Sequence, residues 1–221
     1  RNGLPGDFST PEQHITASEV GRAWESCMTL NDSWGFNRGD DNWKRDKTIV
    51  DNLATCAKGG GNYLLNIGPE PDGSIPPETV EILQSVGKWL DTNSKSIYLT
   101  ERGAMNNVSN TIFTRRGNTL YVIQKYWPGV TPAAQWLSFF QPGVVVAIGG
   151  LKTEVKSARL LKTGVNVPFT QDNSLFLRLT GLPVEAPDSP TTVIEVECED
   201  EPIIDAWSMV PKWPRYKVGI S

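Results

Sequence analysis

The 221-residue chain contains one histidine, His14, so a Ser-His-Asp or Cys-His mechanism would have to depend on that residue alone, which argues against both. Cysteines are few as well. Cys27, Cys56 and Cys198 are odd in number and far apart, with no Cys-x-x-Cys pair and no histidine cluster. Neither a disulfide framework nor a zinc site follows from them. Positive charge is not in excess: the net charge is −4 and the sequence pI about 5.1. Such a surface would release no counterions from nucleic acid or an anionic membrane, so both are set aside as partners. Long apolar runs are missing too, and the stretch 144–150 is far too short to span a bilayer. The chain opens on Arg1 with neither a methionine nor a signal peptide, and we expect an N-terminal portion to be absent.

What remains is ordinary for a globular protein, with 38% hydrophobic and 21% charged residues, and the chain is long enough to bury a real core. The eight tryptophans stand out. An indole face stacks well on the apolar face of a sugar, although core packing is its commoner use.

Turn residues Gly3, Pro5, Gly6 and Pro11 mark residues 1–16 as a loop. The stretch 23–30 reads as a strand or a single helical turn. Asp46 is placed to cap a helix running to about Lys58, with Ile49, Val50, Leu53, Ala54 and Ala57 on one face and Gly59, Gly60 and Gly61 ending it. A buried strand over 62–68 follows. Pro76 and Pro77 then open a helix to about Asp91, with Val80, Leu83, Val86 and Leu90 inward and Trp89 beside them. This alternation predicts a parallel α/β arrangement. After about Thr100 the pattern changes to short β-branched or alternating runs at 111–116, 119–127, 135–140, 143–149, 157–162, 174–179 and 191–198, separated by turn residues. Seven such runs predict an antiparallel β-sandwich. Residues 201–221, with Trp207 and Trp213, read as an extended tail.

Three segments carry a family resemblance: WESCMTLNDSWGFN (24–37), GGGNYLLNIGPEPDGSIPPE (59–78) and LQSVGKWLDTNSKSIYLT (83–100). Each is weak singly, but in this order and spacing they resemble the α-L-fucosidases of glycoside hydrolase family 29. The match is good over residues 1 to about 100 and extends to the sandwich only by length and strand pattern. The resemblance implies a partial (β/α)8 TIM-like barrel over 1–100, contributing its last two strands and closing helices. A C-terminal β-sandwich would fill 101–200, and 201–221 would be the tail. It also implies a retaining exo-glycosidase acting on fucosylated glycans or oligosaccharides, no cofactor or metal, room for a homo-oligomer, and a secreted, periplasmic or lysosomal setting.

Retaining glycosidases need two carboxyl groups roughly 5–5.5 Å apart, one ionised to attack and one protonated to donate. The family nucleophile is an aspartate whose motif has no match here; we expect it upstream of Arg1, leaving this piece alone unable to complete the reaction. GDFSTPEQ (6–13) resembles the family's acid/base loop and puts Glu12 on the acid/base position, against the plainer reading of a solvent-facing glutamate. Glu25 competes for that role but reads better as a structural carboxylate bonded to arginine or backbone. Trp34 matches an aromatic residue lining the fucose pocket, where a flat apolar face suits the C5 methyl; a core tryptophan at a strand end is the alternative. Arg1 resembles an arginine that binds sugar oxygens. His14 reads as a loop histidine and Asn66 as a residue tying a turn. The Gly59–Asn62 stretch fails as a phosphate cradle because it precedes a strand and no Lys-Ser/Thr follows. Asn107-Val108-Ser109 is a glycosylation sequon. The reading from another class is a carbohydrate-binding or scaffold module without catalysis, with the sandwich as its working part.

Overall fold

The computed structural model describes residues 6–15, 22–101, 110–128, 144–172 and 176–204. Arg1, the run at 135–140, the Asn107 sequon, Trp207 and Trp213 lie outside the described residues. The first hundred residues form β1 (Phe8–Ser9), β2 (Ala23–Thr29), α1 (Asp46–Lys58), β3 (Asn62–Asn66), α2 (Pro77–Asn93) and a 3-10 turn at Ser94–Ser96. The strands make one parallel sheet in the order β1-β2-β3. We expected two strands and a loop over 1–16; Phe8 and Ser9 instead pair with Ala23 and Trp24 and add a third.

Strand periodicity gives this sheet two unlike faces. Ser26 and Met28 lie opposite Tyr63 and Leu65, and that face carries the helices. Glu25, Cys27 and Thr29 lie opposite Asn62, Leu64 and Asn66 on the other face, which is open apart from the buried Thr29. The expectation of a fully buried strand over 62–68 fails there. Leu64 is 49% exposed, because helices cover one face of β3 and, among the described residues, β2 is its one neighbouring strand.

Helix α1 begins at Asp46, but Arg45 holds the cap position in extended geometry. The Asp46 carboxylate accepts instead from Lys47 N–H at 2.7 Å and from Ser85 Oγ at 2.5 Å, joining α1 to α2. Ile49, Val50 and Ala54 are buried as expected, with Leu53 and Ala57 packed beside them. Helix α2 differs from expectation. Val86 and Trp89 are buried and Leu90 packs beside them as expected, but Val80 and Leu83 are each 38% exposed, and Thr79, Ile82 and Asn93 take the inward positions instead. Polar anchors set that rotation: Trp89 Nε1 donates to Thr191 O at 2.7 Å, and Asn93 Nδ2 to Asp188 Oδ2 at 2.8 Å.

From Thr111 onward the described strands are antiparallel: β4 (Thr111–Arg116), β5 (Thr119–Gln124), β6 (Val144–Gly149), β7 (Val155–Leu160), β8 (Phe169–Asp172), β9 (Phe176–Leu182) and β10 (Thr192–Cys198). They form a β4-β5-β10-β7 sheet and a β6-β9-β8 sheet. The two sheets bury one core between them, with Phe113, Val122 and Ile194 from the first meeting Ile148, Leu177 and Leu179 from the second. This is a β-sandwich. Strand β8 was not expected, since its four residues begin right after Pro168 and Phe169 is the one apolar residue among them. On the outer face of the larger sheet, Ile112, Tyr121, Ile123 and Val193 join Val50, Trp89 and Ile97 in a second core. The alternation of β4 and β5 therefore serves both cores. Lys162 Nζ, 2.5 Å from Asp188, and Thr114 Oγ1, 2.6 Å from Ser96 O, add polar ties at the seam.

The three cysteines are free thiols. Burial pushes the Cys56 thiol up to about 12 and, with Glu197 nearby, the Cys198 thiol up to about 11. A group whose folded pKa is raised loses stability as pH climbs past its unfolded value, here the ordinary thiol value of 9.0. The contribution of these two thiols should therefore be constant up to about pH 9 and be lost above it, by up to about 1.4 kcal/mol per pH unit for each. Urea midpoints of the full-length protein at pH 8 and pH 10 check this. The alkaline loss should shrink in a Cys56→Ala/Cys198→Ala protein.

Candidate active site

Glu12 sits on the continuation of β1 along β2. The pairing keeps a constant offset, with Phe8 opposite Ala23, Ser9 opposite Trp24 and Glu12 opposite Cys27. Pro11 explains the gap between the two pieces. In a parallel ladder the amide at that position would donate toward Glu25 O, and proline has no N–H to give. Its carbonyl still accepts from Cys27 N–H at 3.0 Å, and Gln13 N–H donates to Cys27 O at 2.8 Å. Glu12 is held between these two bonds, on the same open face as Cys27 and near the C-terminal end of β2.

The chain then turns sharply. Gln13 has φ +59°, a left-handed conformation costing a non-glycine residue roughly 1–3 kcal/mol. Its side chain takes over from the interrupted ladder: Nε2 donates to Thr29 Oγ1 at 2.9 Å, and Oε1 accepts from Thr29 N–H at 3.4 Å. His14 contacts Glu12 O through Nδ1 at 2.9 Å, and Ser26 Oγ donates to His14 O at 2.7 Å. His14 is thus a loop histidine. Arg22 Nη2 donates to Gly6 O at 2.8 Å and fixes the segment's start. Among the described residues no arginine forms an ion pair with Glu25, so its expected arginine partner is not found there. Glu25 is half-buried on the open face. Burial first, then the negative charges of Glu12 and Glu25, raise the Cys27 thiol above its ordinary value. The two carboxylates therefore stand within electrostatic reach of one sulfur.

Trp34 lies in the turn leaving the same end of β2, and it is 42% exposed. Asn66, at the end of β3, donates from Nδ2 to Trp34 O at 2.7 Å, and Leu30 N–H donates to Asn66 O. Asn66 ties the turn as expected. Gly68 matters equally: a Cβ there would meet the backbone of Gly35 and Phe36 at 2.7–2.9 Å. The loop beyond is closed by Asp40, whose carboxyl is held below its usual range by the Ser33 hydroxyl and then by the N–H groups of Asn42, Asp32 and Ser33. Sequence reasoning missed Gln13, Ser26 and Thr29; their roles come from cross-strand partners 12 to 16 residues away, which a local motif does not display. Among the described residues no cluster of three or more His, Cys, Asp or Glu is placed to hold a metal ion.

Residues 1–95 match the family described as alpha-L-fucosidase. Over those residues the chain is similar to that family. It is 28% identical over 198 residues to a tissue alpha-L-fucosidase of Mus musculus, covering 87% of this chain and 40% of the mouse protein. Among solved structures it is similar to alpha-L-fucosidase isoenzyme 1 from Paenibacillus thiaminolyticus, with TM-score 0.75, 32% identity, and coverage of 88% of this chain and 46% of that one. It is likewise similar to a Thermotoga maritima alpha-fucosidase solved with a mechanism-based inhibitor, with TM-score 0.69, 29% identity, and coverage of 88% and 44%. The chain thus spans less than half the length of these relatives, and the structural likeness runs past residue 100 into the sandwich.

Proposed function

We propose that the full-length protein is a retaining α-L-fucosidase that removes terminal fucose from glycans or oligosaccharides, with Glu12 as its acid/base. Residues 1 to about 100 are the closing part of a (β/α)8-type barrel, 101–200 its sandwich, and 201–221 a tail. The observation that carries this reading is the register that sets Glu12 opposite Cys27 on the open face. That position is near the strand end from which the Trp34 turn leaves, and barrel enzymes assemble their sites at the C-terminal ends of strands.

In the first step the Glu12 carboxyl gives its proton to the glycosidic oxygen as the bond to the anomeric carbon breaks. An aspartate carboxylate, assigned to polypeptide outside residues 1–221, forms the new bond on the opposite face. In the second step Glu12, now ionised, takes a proton from water whose oxygen attacks the same carbon and releases the aspartate. Trp34 walls the sugar's methyl side, and Arg1 donates hydrogen bonds to its hydroxyls. Two carboxyl groups suffice for this chemistry.

The open face supports the same reading. Phe8 and Leu64 are 52% and 49% exposed there, apolar side chains suited to packing against further barrel strands. The test is release of fucose from a chromogenic fucoside by the full-length protein. Turnover is expected. Binding of fucosylated oligosaccharide without hydrolysis would overturn the enzyme and favour a carbohydrate-binding module.

A further inference from the structure

We infer that Gln13 and Thr29 form a positioning clamp that sets the Glu12 carboxyl and the Trp34 turn in one fixed relation; this rests on the proposed role of Glu12. The Gln13 backbone is tied to Cys27 immediately after Glu12, so where its side chain is anchored decides how the chain leaves that position. The anchor is Thr29, which is fully buried and at the end of β2. Gln13 Nε2 donates to Thr29 Oγ1 at 2.9 Å, and the Thr29 hydroxyl in turn donates to Asn31 O. Asn31 is buried, and the same carbonyl accepts from Lys44 Nζ at 3.1 Å. Asn31 Oδ1 accepts from Ser33 N–H at 3.3 Å, one residue before Trp34. A continuous run of hydrogen bonds therefore leads from the residue after the acid to the residue before the aromatic wall.

The left-handed φ of Gln13 makes the clamp necessary. That conformation is retained only where surrounding bonds over-determine it. Without the amide anchor the residue relaxes toward an extended conformation, and Glu12 beside it is redirected. A misplacement of about 1 Å is enough to cost a proton transfer of this kind heavily. Gln13 and Thr29 touch no reacting atom; they act through Glu12 and the turn. The role also accounts for a polar residue at the buried Thr29 position, because valine would fill the same space with no hydrogen to give or lone pair to accept.

The test uses the full-length protein with two substrates, an activated aryl fucoside and a fucosyl disaccharide whose leaving group needs protonation. Gln13→Ala and Thr29→Val should each lower kcat on the disaccharide about tenfold, with KM within about twofold, and change kcat/KM for the aryl fucoside little. The double variant should lose no more than the worse single, since both remove one device. Thr29→Ser, which keeps the hydroxyl, should restore most of the disaccharide rate. Equal losses on both substrates, multiplying losses in the double variant, no rescue by serine, or no loss at all would overturn the clamp. Glu12→Ala is the separating control. If it loses activity selectively on the disaccharide while the clamp variants stay silent, only the clamp falls; if it too is silent, the acid assignment falls first.

Discussion

Glu12→Ala in the full-length protein is expected to cost about 10²–10⁴-fold in kcat/KM on fucosides with poor leaving groups, the usual contribution of a positioned general acid. Loss on an activated aryl fucoside should be far smaller for the first step, because a phenolate-like leaving group departs without a proton. With that substrate the glycosyl-enzyme should accumulate, since its hydrolysis still needs a base. Azide, a small anion that needs no deprotonation, should then restore turnover by attacking in place of water. Equal loss on the two substrate classes, or no loss, would remove Glu12 from the role. The same assay on Glu25→Gln gives the contrast. Glu25 lies on the same face and near the same sulfur, but its strand position is two residues farther from the end of β2. A leaving-group-dependent loss confined to Glu25→Gln would transfer the acid role to that residue.

Much of the fold was legible wherever one local pattern dominated. Helix α1 runs from Asp46 to Lys58 as its apolar face required, and β4 occupies the same residues 111–116 that its composition marked. The failures have a common origin in partners distant along the chain. Helix α2 presents Thr79 and Asn93 inward where Val80 and Leu83 seemed the natural choice. The indole of Trp89 has to reach a carbonyl 102 residues away, and Asn93 a carboxylate 95 residues away. Residues 8–12 read as a loop because Pro11 and Gly6 interrupt any alternation, yet β2 supplies enough ladder bonds to tolerate one missing donor. The candidate site follows the same division. Family motifs singled out Glu12 and Trp34; Gln13 left no trace, because neither its φ nor its bond to Thr29 is written in the residues around it.

The three glycines at 59–61 make the same point quantitatively, and Gly61→Ala is expected to be the most destabilising single methyl in the described part of the chain. The sequence suggested only a helix stop, and Gly60 does serve as one, with φ +69°. Its neighbours serve another purpose. A Cβ on Gly61 would lie 2.2–2.4 Å from Trp24 ring carbons, and one on Gly59 2.6 Å from the same indole. Trp24 is 3% exposed and its Nε1 donates to Gly59 O at 3.2 Å, so the ring has nowhere to retreat. Overpacking of this kind costs about 3 kcal/mol where neither partner can give way. Gly60→Ala carries the left-handed backbone penalty of about 1–2 kcal/mol. Urea midpoints of the full-length protein should rank the two accordingly. In a Trp24→Leu background, where the indole is gone, the Gly61→Ala cost should fall by more than half while that of Gly60→Ala stays the same. If Gly61→Ala costs no more than Gly60→Ala and is indifferent to Trp24, the indole does not fix this corner. The start of β2, and with it the register that carries Glu12 to Cys27, would then have to be held by the Arg22 bonds to Gly6 and Phe8 instead.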